Sequence, residues 1–254
     1  MRVGIDLGSR NVKIVTLTEQ GLGEMKQIDT ISFYRNYGRK EDEKLIIDFN
    51  ALGLKGFDRL VSTGYGRLTI NIQGAKNIPE LKAHMLGAIY QTGLEDFTLV
   101  DLGGQDTKVI KIRRGKMVDF LTNDRCAASS GRYLENMAQV LGVDVTELGK
   151  HYKNPVELNS TCAVFGESEL IGKIIEGHPH EHLAAGVNNT IYKRVEPMLR
   201  NMMSETLVFT GGVAFSEALV KMLELGTGKE VIVPKHPQYN GAIGCCIEAS
   251  KGVN

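Results

Sequence analysis

The amino-acid sequence predicts an α/β protein built from a duplicated unit, each copy containing a mixed β-sheet. Residues 5–15 (IDLGSRNVKIV) align without a gap on residues 100–110 (VDLGGQDTKVI), and a repeat of this kind indicates a duplicated fold. In each copy β-rich runs come first, and helices and strands then alternate. We therefore expect residues 1–92 to form a first domain, residues 93–239 a second, and a helix at 240–254 to pack back on the first.

The elements of the first half follow from hydrophobic periodicity and turn residues. Alternating and β-branched runs predict strands over 3–7, 12–18, 27–34 and 59–63. Apolar residues at helical spacing predict helices over 43–54 and 80–92, the second beginning after Pro79. The polar run 35–43 predicts a loop, and the glycines of 64–67 predict a turn.

The same order restarts near residue 97. Strands are predicted over 97–102, 107–112, 116–121, 207–210 and 230–233. Helices are predicted over 130–141, 166–176, 180–202, 215–225 and 240–249. On the helix over 130–141, the inward face is predicted to carry Tyr133, Leu134, Met137 and Leu141.

Each copy of the repeat contains a hairpin turn suited to phosphate. Small residues there let backbone N–H groups approach an anion, and polar neighbours add hydrogen-bonding groups. The residues concerned are Gly8, Ser9 and Asn11 in the first copy and Gly103, Gly104, Gln105 and Thr107 in the second. Asp6 and Asp101 stand at the mouths of the turns, and Mg²⁺ prefers such oxygen ligands. Two matched copies favour a phosphate site over simple turn chemistry.

A third glycine turn, Thr210-Gly211-Gly212, lies between a predicted strand and a predicted helix. Glycines permit close packing of a flat ring, and a helix N-terminus can face phosphate. The sequence contains neither a Walker A run nor the full dinucleotide glycine fingerprint. We therefore predict that the three turns form the walls of a nucleotide cleft.

The four cysteines fall into two groups. Cys126 and Cys162 each precede a predicted helix in polar surroundings, where the helix dipole favours a thiolate. Two thiolates cannot complete a four-thiolate cluster, but a two-fold dimer would supply four. From these residues alone, a shared iron–sulfur cube and two small buried side chains both stay open. Cys245 and Cys246 lie in the apolar run 242–247 and are predicted to be core residues.

Charge and hydropathy exclude several classes of partner. The 30 basic and 30 acidic residues cancel, so no global field favours nucleic acid or an anionic membrane. The sequence opens on a charged β-strand rather than a signal peptide, and no apolar run approaches the roughly 20 residues that span a bilayer. We expect a cytoplasmic protein with no nucleic-acid or membrane partner.

Three weaker patterns receive structural interpretations. Glu80 and His84 share a helix face, and a surface pair is favoured over a catalytic one. Of the two hairpin lysines, Lys13 is predicted to contact phosphate and Lys108 to face solvent. Three histidines around Pro179 are predicted to lie in a solvated loop rather than to bind a metal: His178, His180 and His182.

As a set, the motifs resemble one family, the activator ATPases of 2-hydroxyacyl-CoA dehydratases and benzoyl-CoA reductases, in the acetate kinase, Hsp70 and actin superfamily. The matching segments are 6–13, 62–67, 101–108, 123–135, 160–169, 210–214 and 238–242. The resemblance implies two ribonuclease H-like domains of the actin/Hsp70 type, with a nucleotide cleft between them. It implies catalytic roles for Asp6, Asp101 and Gln105, with Asp6 and Asp101 also holding Mg²⁺. The residues implied to bind MgATP or MgADP are Gly8, Ser9, Arg10, Asn11, Val12, Lys13, Gly103, Gly104, Gln105, Gly211, Gly212 and Gln238.

The resemblance further implies a homodimer with one bridging 4Fe-4S cluster, held by Cys126 and Cys162 of each subunit. ATP hydrolysis would drive one low-potential electron from this cluster to an iron–sulfur dehydratase or reductase component, or to a double-cubane cluster protein. Ferredoxin or flavodoxin would be the electron donor. Two alternatives stay open: a small-molecule kinase of the same fold, with Asp101 or Asp106 as base, and a nucleotide-gated scaffold of the actin type.

Overall fold

The computed structural model describes residues 1–42, 44–64, 71–72, 74–123, 130–160 and 163–251. The chain forms two compact units. Unit 1 comprises Met1–Leu94 and Tyr239–Asn254, and unit 2 comprises Glu95–Gln238. The C-terminal segment of the chain therefore belongs to the same unit as the N-terminal segment.

The described residues of unit 1 form strands β1 to β8 and three α-helices. Its strands are β1 (Arg2–Leu7), β2 (Asn11–Thr18), β3 (Gly21–Asp29), β4 (Gly38–Glu41), β5 (Lys44–Ile47), β6 (Arg59–Gly64), β7 (Asn71–Ile72) and β8 (Lys76–Asn77). Its helices are α1 (Thr30–Tyr37), α2 (Glu80–Thr92) and α8 (Asn240–Ser250).

In unit 2, the part of the chain that the structure describes forms strands β9 to β13 and five α-helices. Its strands are β9 (Phe97–Leu102), β10 (Thr107–Arg113), β11 (Lys116–Asn123), β12 (Thr206–Thr210) and β13 (Glu230–Ile232). Its helices are α3 (Gly131–Leu141), α4 (Val145–Leu148), α5 (Ala163–Ile175), α6 (His180–Leu199) and α7 (Glu217–Thr227). Among the described residues, no helix is long and apolar enough to cross a membrane.

The main sheets of the two units have the same topology. The strand order is β3-β2-β1-β6-β8 in unit 1 and β11-β10-β9-β12-β13 in unit 2. In both sheets the first three strands are antiparallel, and the last two run parallel to the central strand. This match confirms the predicted duplicated α/β fold.

The core of unit 1 depends on close approach of α8 to β1 and α2. A Cβ on Gly4 would lie 2.1 Å from the carbonyl oxygen of Ala242, and one on Gly244 would lie 1.7 Å from that of Ala83. Glycine at these two positions is therefore a packing requirement. Cys245 and Cys246 are fully buried in this core, as predicted, and burial raises the pKa of Cys246 to about 12.

The core of unit 2 is built on helices α3 and α6 against β9 and β12. Tyr133, Leu134 and Met137 of α3 are buried, which confirms the predicted inward face. Leu141, the fourth predicted residue, is only partly buried and packs at the edge of the same core.

Three predictions for the first half were wrong. The third strand ends at Asp29 because the Asp29 carboxylate accepts the Ser32 N–H at 3.0 Å and begins helix α1. The helix predicted over 43–54 is not formed: residues 44–54 are strand β5 followed by turns, in which the Asp48 carboxylate accepts the Ala51 N–H at 2.9 Å. The predicted loop over 35–43 contains the end of α1 and strand β4. Strands β4, β5 and β7 form a small sheet that was not predicted, because a short apolar run does not distinguish a strand from a helix.

Candidate functional site

The hairpin of unit 1 places Asp6 at the end of β1, opposite Lys13 of β2. The Asp6 side chain is buried, and Lys13 is half-buried. The turn between the strands carries Gly8, Ser9 and Arg10. It is anchored by Thr30, whose hydroxyl donates to the Gly8 carbonyl at 2.7 Å and whose backbone N–H donates to the Arg10 carbonyl at 3.2 Å. The predicted residues 8–13 therefore form one anchored turn next to a buried carboxylate.

The hairpin of unit 2 repeats this arrangement with Asp101 opposite Lys108. Asp101 is 2% exposed, and the turn closes where the Gly103 N–H donates to the Asp106 carbonyl at 3.0 Å. Gly104 and Gln105, both half-buried, complete the turn. The predicted residues of this copy are therefore also brought together beside a buried carboxylate.

The turn of unit 2 is tied directly to the start of helix α3. The Gly103 carbonyl accepts the Gly131 N–H at 2.9 Å, and the Gly104 carbonyl accepts the Arg132 N–H at 3.1 Å. These are the first two residues of α3, whose N–H groups have no partner inside the helix. A displacement of the turn would therefore be transmitted to the helix.

Lys108 does not face solvent, contrary to prediction. Its side chain is buried, and its Nζ lies 2.6 Å from Asp106 Oδ2 and 4.0 Å from Asp101 Oδ1. Directly opposed residues of an antiparallel pair point to the same face, so Lys108 must share the buried face of Asp101. The amine thus neutralises two carboxylates, and Asp106 is committed to this ion pair.

A threonine and a glycine border each aspartate from the neighbouring parallel strand. Thr63 of β6 lies beside Asp6, and Thr210 of β12 lies beside Asp101. Each threonine is followed by a glycine with positive φ, 113° at Gly64 and 90° at Gly211. A Cβ on either glycine would lie within 2.4 Å of a backbone oxygen of the central strand, so no other residue fits. The sequence alignment had not extended the repeat to this third strand.

The two threonines differ in their hydrogen bonds. The Thr210 hydroxyl donates to Asp101 Oδ2 at 2.7 Å, whereas the Thr63 hydroxyl donates to the Ile78 carbonyl at 3.0 Å. In unit 2 the threonine therefore holds the aspartate carboxylate, whereas in unit 1 the equivalent threonine bonds to a backbone carbonyl instead.

Gly211, Gly212 and Gln238 come together in unit 2. The Gly211 N–H donates to the Pro237 carbonyl at 3.0 Å, which brings Gln238 beside the glycine turn. A Cβ on Gly212 would meet no atom within 4 Å, so the backbone there faces open space. Among the described residues, no group donates to the buried Gln238 Oε1. This oxygen could therefore accept a hydrogen bond from a ligand.

A 3₁₀ turn over Gly212–Phe215 separates the glycines from helix α7. The helix was predicted to begin at residue 215, but Ser216 caps it by accepting the Leu219 N–H at 3.3 Å, and α7 begins at Glu217. The glycine turn is therefore followed by tight backbone rather than by the helix itself.

The pair Glu80 and His84 is not on the surface, contrary to prediction. His84 is 6% exposed, and its Nε2 lies 3.9 Å from Glu80 Oε1, whose side chain is 17% exposed. Glycines account for the burial: a Cβ on Gly87 of α2 would lie 2.0 Å from the carbonyl oxygen of Asn240, so α8 can lie directly on this helix. Sequence spacing identified the pair, but only the packing of α8 shows where it lies.

Other predicted residues are separate from these turns or are not described. Cys126, Cys162 and Arg67 lie outside the described residues. His178 and His180 are exposed and His182 is half-buried; the last two belong to α6 rather than to a loop. Within the described ranges, no group of three or more His, Cys, Asp or Glu side chains is arranged to hold a metal ion.

Two α/β units of the same strand order, each with a buried aspartate and a glycine turn at matching positions, define the duplicated ribonuclease H-like fold of actin/Hsp70-type ATPases. The chain belongs to the BadF/BadG/BcrA/BcrD ATPase family, which matches residues 3–249.

Named relatives and a solved structure support this assignment. The chain is 37% identical over 203 residues to the 2-hydroxyisocaproyl-CoA dehydratase activator of Clostridioides difficile, covering 78% of this chain and 76% of the relative. It is 37% identical over 195 residues to the (R)-2-hydroxyglutaryl-CoA dehydratase activating ATPase of Acidaminococcus fermentans, covering 75% of each. The structure of an activator of the 2-hydroxyisocaproyl-CoA dehydratase from Clostridium difficile with bound ADPNP superposes with a TM-score of 0.84. In that comparison the identity is 32%, and 98% of this chain and 93% of the other are covered.

Proposed function

We propose that this protein is an ATP-dependent activator that uses ATP hydrolysis to deliver a low-potential electron to a partner iron–sulfur dehydratase or reductase. The observation that carries the proposal is the pair of matched turns with buried aspartates, in a chain 37% identical over three quarters of its length to two named dehydratase activators. A double-cubane cluster protein is the second kind of acceptor that fits this role.

The nucleotide is proposed to bind through the three turns. Backbone N–H groups of the turn residues Gly8–Arg10, Gly104 and Gln105 would face the phosphates, and the open backbone at Gly212 with the Gln238 oxygen would contact the rest of the nucleotide. Asp6 and Asp101 present the oxygen donors that Mg²⁺ prefers, and the ion would neutralise charge on the phosphates. The Gln105 amide, which both donates and accepts, is proposed to orient the attacking water.

The cluster is proposed to be a 4Fe-4S centre held by Cys126 and Cys162 of two subunits, where it would serve as the one-electron carrier. The two described residues that come shortly before Cys162 in the chain, Asn159 and Ser160, are held by hydrogen bonds. Glu169 accepts the backbone N–H groups of Asn159 and Ser160, both at 2.8 Å, and Arg194 donates to the Ser160 carbonyl at 3.0 Å. Helices α5 and α6 thus hold the segment that leads to Cys162.

Coupling between hydrolysis and the cluster is proposed to run through helix α3. The turn Gly103–Gln105 accepts hydrogen bonds from Gly131 and Arg132, and α3 follows the segment that carries Cys126. Loss of the γ-phosphate would change the contacts of this turn and therefore the position of α3. The chain is proposed to act as a homodimer in the cytoplasm, with ferredoxin or flavodoxin as electron donor.

The test begins with anaerobic purification. We expect a brown protein with about four irons per dimer that loses its colour in air. Cys126→Ser and Cys162→Ser should each remove the iron, whereas the control Cys245→Ser should keep it because Cys245 lies in the core of unit 1. A protein that binds ATP without iron and phosphorylates a small molecule would instead be a kinase and would overturn the proposal.

A further inference from the structure

His84, which pairs with Glu80, lies next to the aspartate of unit 1 and has no part in the proposed function. Gly241, at the start of α8, separates the two groups. A Cβ on Gly241 would lie 2.8 Å from Asp6 Oδ2 and 3.1 Å from His84 Nε2. Both atoms therefore border the same point, which only a glycine leaves open.

The backbone of His84 is held by the Asn240 side chain. The Asn240 side chain donates to the His84 carbonyl at 2.8 Å and accepts from the Gln91 side chain at 3.0 Å. These bonds join α2 to the first residue of α8 and so hold Gly241 against Asp6. His84 Nε2 lies 3.9 Å from Glu80 Oε1, one helical turn earlier on the same face.

We propose that His84, supported by Glu80, is a positioning residue that holds the Asp6 carboxylate in the orientation needed for MgATP. The imidazole Nε2 lies 3.9 Å from Glu80 Oε1 and, together with Asp6 Oδ2, borders the point that Gly241 leaves open. A nitrogen in this place would restrict rotation of the Asp6 side chain. Groups that orient a metal-binding carboxylate usually affect metal affinity or activity by about 10- to 100-fold. The inference rests on the proposed use of Asp6 and adds the residues that make this use possible.

The chain offers a matched control for this pair. His151 and Glu147 in unit 2 also stand four residues apart, with 3.3 Å between His151 Nε2 and Glu147 Oε1. They are more exposed, at 27% and 44% for the two side chains. If His84→Leu acted only through loss of a helical Glu–His pair, His151→Leu would have the same effect.

The experiment measures ATP affinity by calorimetry with and without Mg²⁺, steady-state ATP hydrolysis and the thermal midpoint, all without an electron acceptor. For His84→Leu we expect affinity in Mg²⁺ and kcat to fall about tenfold or more, with metal-free ATP affinity changed less than about twofold. His84→Gln should recover most of the loss, because its amide nitrogen reaches the position of Nε2. Glu80→Gln should show a smaller loss, and His151→Leu should behave as the unmodified protein.

A second variant keeps the test decisive if His84→Leu fails to fold. Gly241→Ala inserts a methyl group between Asp6 and His84 and should reproduce the Mg²⁺-dependent loss. Unchanged Mg²⁺ dependence in His84→Gln, Glu80→Gln and Gly241→Ala would overturn the proposal, as would equal losses with and without Mg²⁺. Because no acceptor is present, failure of electron delivery would count against the proposed function alone.

Discussion

The two aspartate turns have the same backbone arrangement but differ in the side chains around the carboxylate. In both units the aspartate lies opposite a lysine on one strand and beside a Thr-Gly pair on the other. In unit 2, Asp101 accepts from the Thr210 hydroxyl, and buried Lys108 lies 4.0 Å away. In unit 1, Thr63 donates elsewhere, and Gly241 of α8 and His84 of α2 lie close to the Asp6 carboxylate.

This difference shows which part of the duplicated unit is constrained by folding. Strand order, register and the glycines of positive φ are common to both copies because backbone packing requires them. The surroundings of the carboxylates have diverged, so that one is held within its own sheet and the other is bordered by a histidine. We infer that Asp101 has a larger structural role and Asp6 a larger role in binding the metal.

The largest effect expected from this comparison concerns ATP hydrolysis. Asp6→Asn should lower kcat about 10³-fold, because the amide removes a charge proposed to hold Mg²⁺, while the urea midpoint changes little. Asp101→Asn should lower both kcat and the urea midpoint, since Lys108 and Thr210 contact this carboxylate. Steady-state kinetics and urea unfolding of the two variants distinguish the structural role of Asp101 from the metal-binding role of Asp6. Equal changes in kcat and in the urea midpoint for the two variants would contradict this difference.

The lysines provide the next largest effect, this time on stability. Lys108→Met leaves Asp101 and Asp106 without their buried cation and should lower the free energy of unfolding by about 3 kcal/mol. Lys13→Met, at the equivalent but half-buried position, should cost far less. Urea titrations of both variants test this, and a Lys13→Met loss as large as that of Lys108→Met would contradict it.

Unit 1 has its own carboxylate held by lysines, Glu248 on α8. Burial alone would raise the pKa of Glu248, but hydrogen bonds from Lys76 and Lys82 outweigh burial and lower it to about 2. Because the folded pKa lies below the unfolded value of about 4.3, the stabilisation is present above pH 4.3 and is lost as pH falls towards 2. Glu248→Gln should therefore lower the free energy of unfolding by roughly 2 kcal/mol at neutral pH.

The pH dependence of the free energy of unfolding tests whether the two lysines stabilise the Glu248 carboxylate. The difference in free energy of unfolding between the unmodified protein and Glu248→Gln should shrink as the pH of the urea titration is lowered below about 4. A difference that stays constant down to pH 3 would show that the lysines do not stabilise the carboxylate.

The smallest effect separates the two threonines. Thr210→Val removes a buried hydroxyl that donates to Asp101 and should lower the free energy of unfolding by about 1 to 2 kcal/mol, with reduced ATP hydrolysis. Thr63→Val removes a bond to a backbone carbonyl and should affect stability without affecting hydrolysis as strongly. Equal kinetic losses in both variants would show that the hydroxyl at Asp101 has no special role.

The sequence predicted the features that depend on local pattern. The repeat, most strands, helix α2 and the buried faces of α3 and α8 follow from periodicity, glycine position and capping. The failures depend on contacts between distant segments. Lys108 is buried because its strand partner is Asp101, and His84 is buried because α8, far away in the chain, lies on α2. The small sheet β4-β5-β7 was missed because its strands are too short to have a distinct period.

The central claim is that ATP hydrolysis drives an electron out of a cluster bound by Cys126 and Cys162. The most direct measurement follows the absorbance of the dithionite-reduced protein, mixed anaerobically with an iron–sulfur dehydratase, after addition of MgATP or Mg-ADPNP. The account predicts that the protein becomes oxidised and the acceptor reduced with MgATP, and that neither change occurs with Mg-ADPNP or in Cys126→Ser. Electron transfer at the same rate without nucleotide, or ATP hydrolysis by a protein that holds no iron, would contradict it.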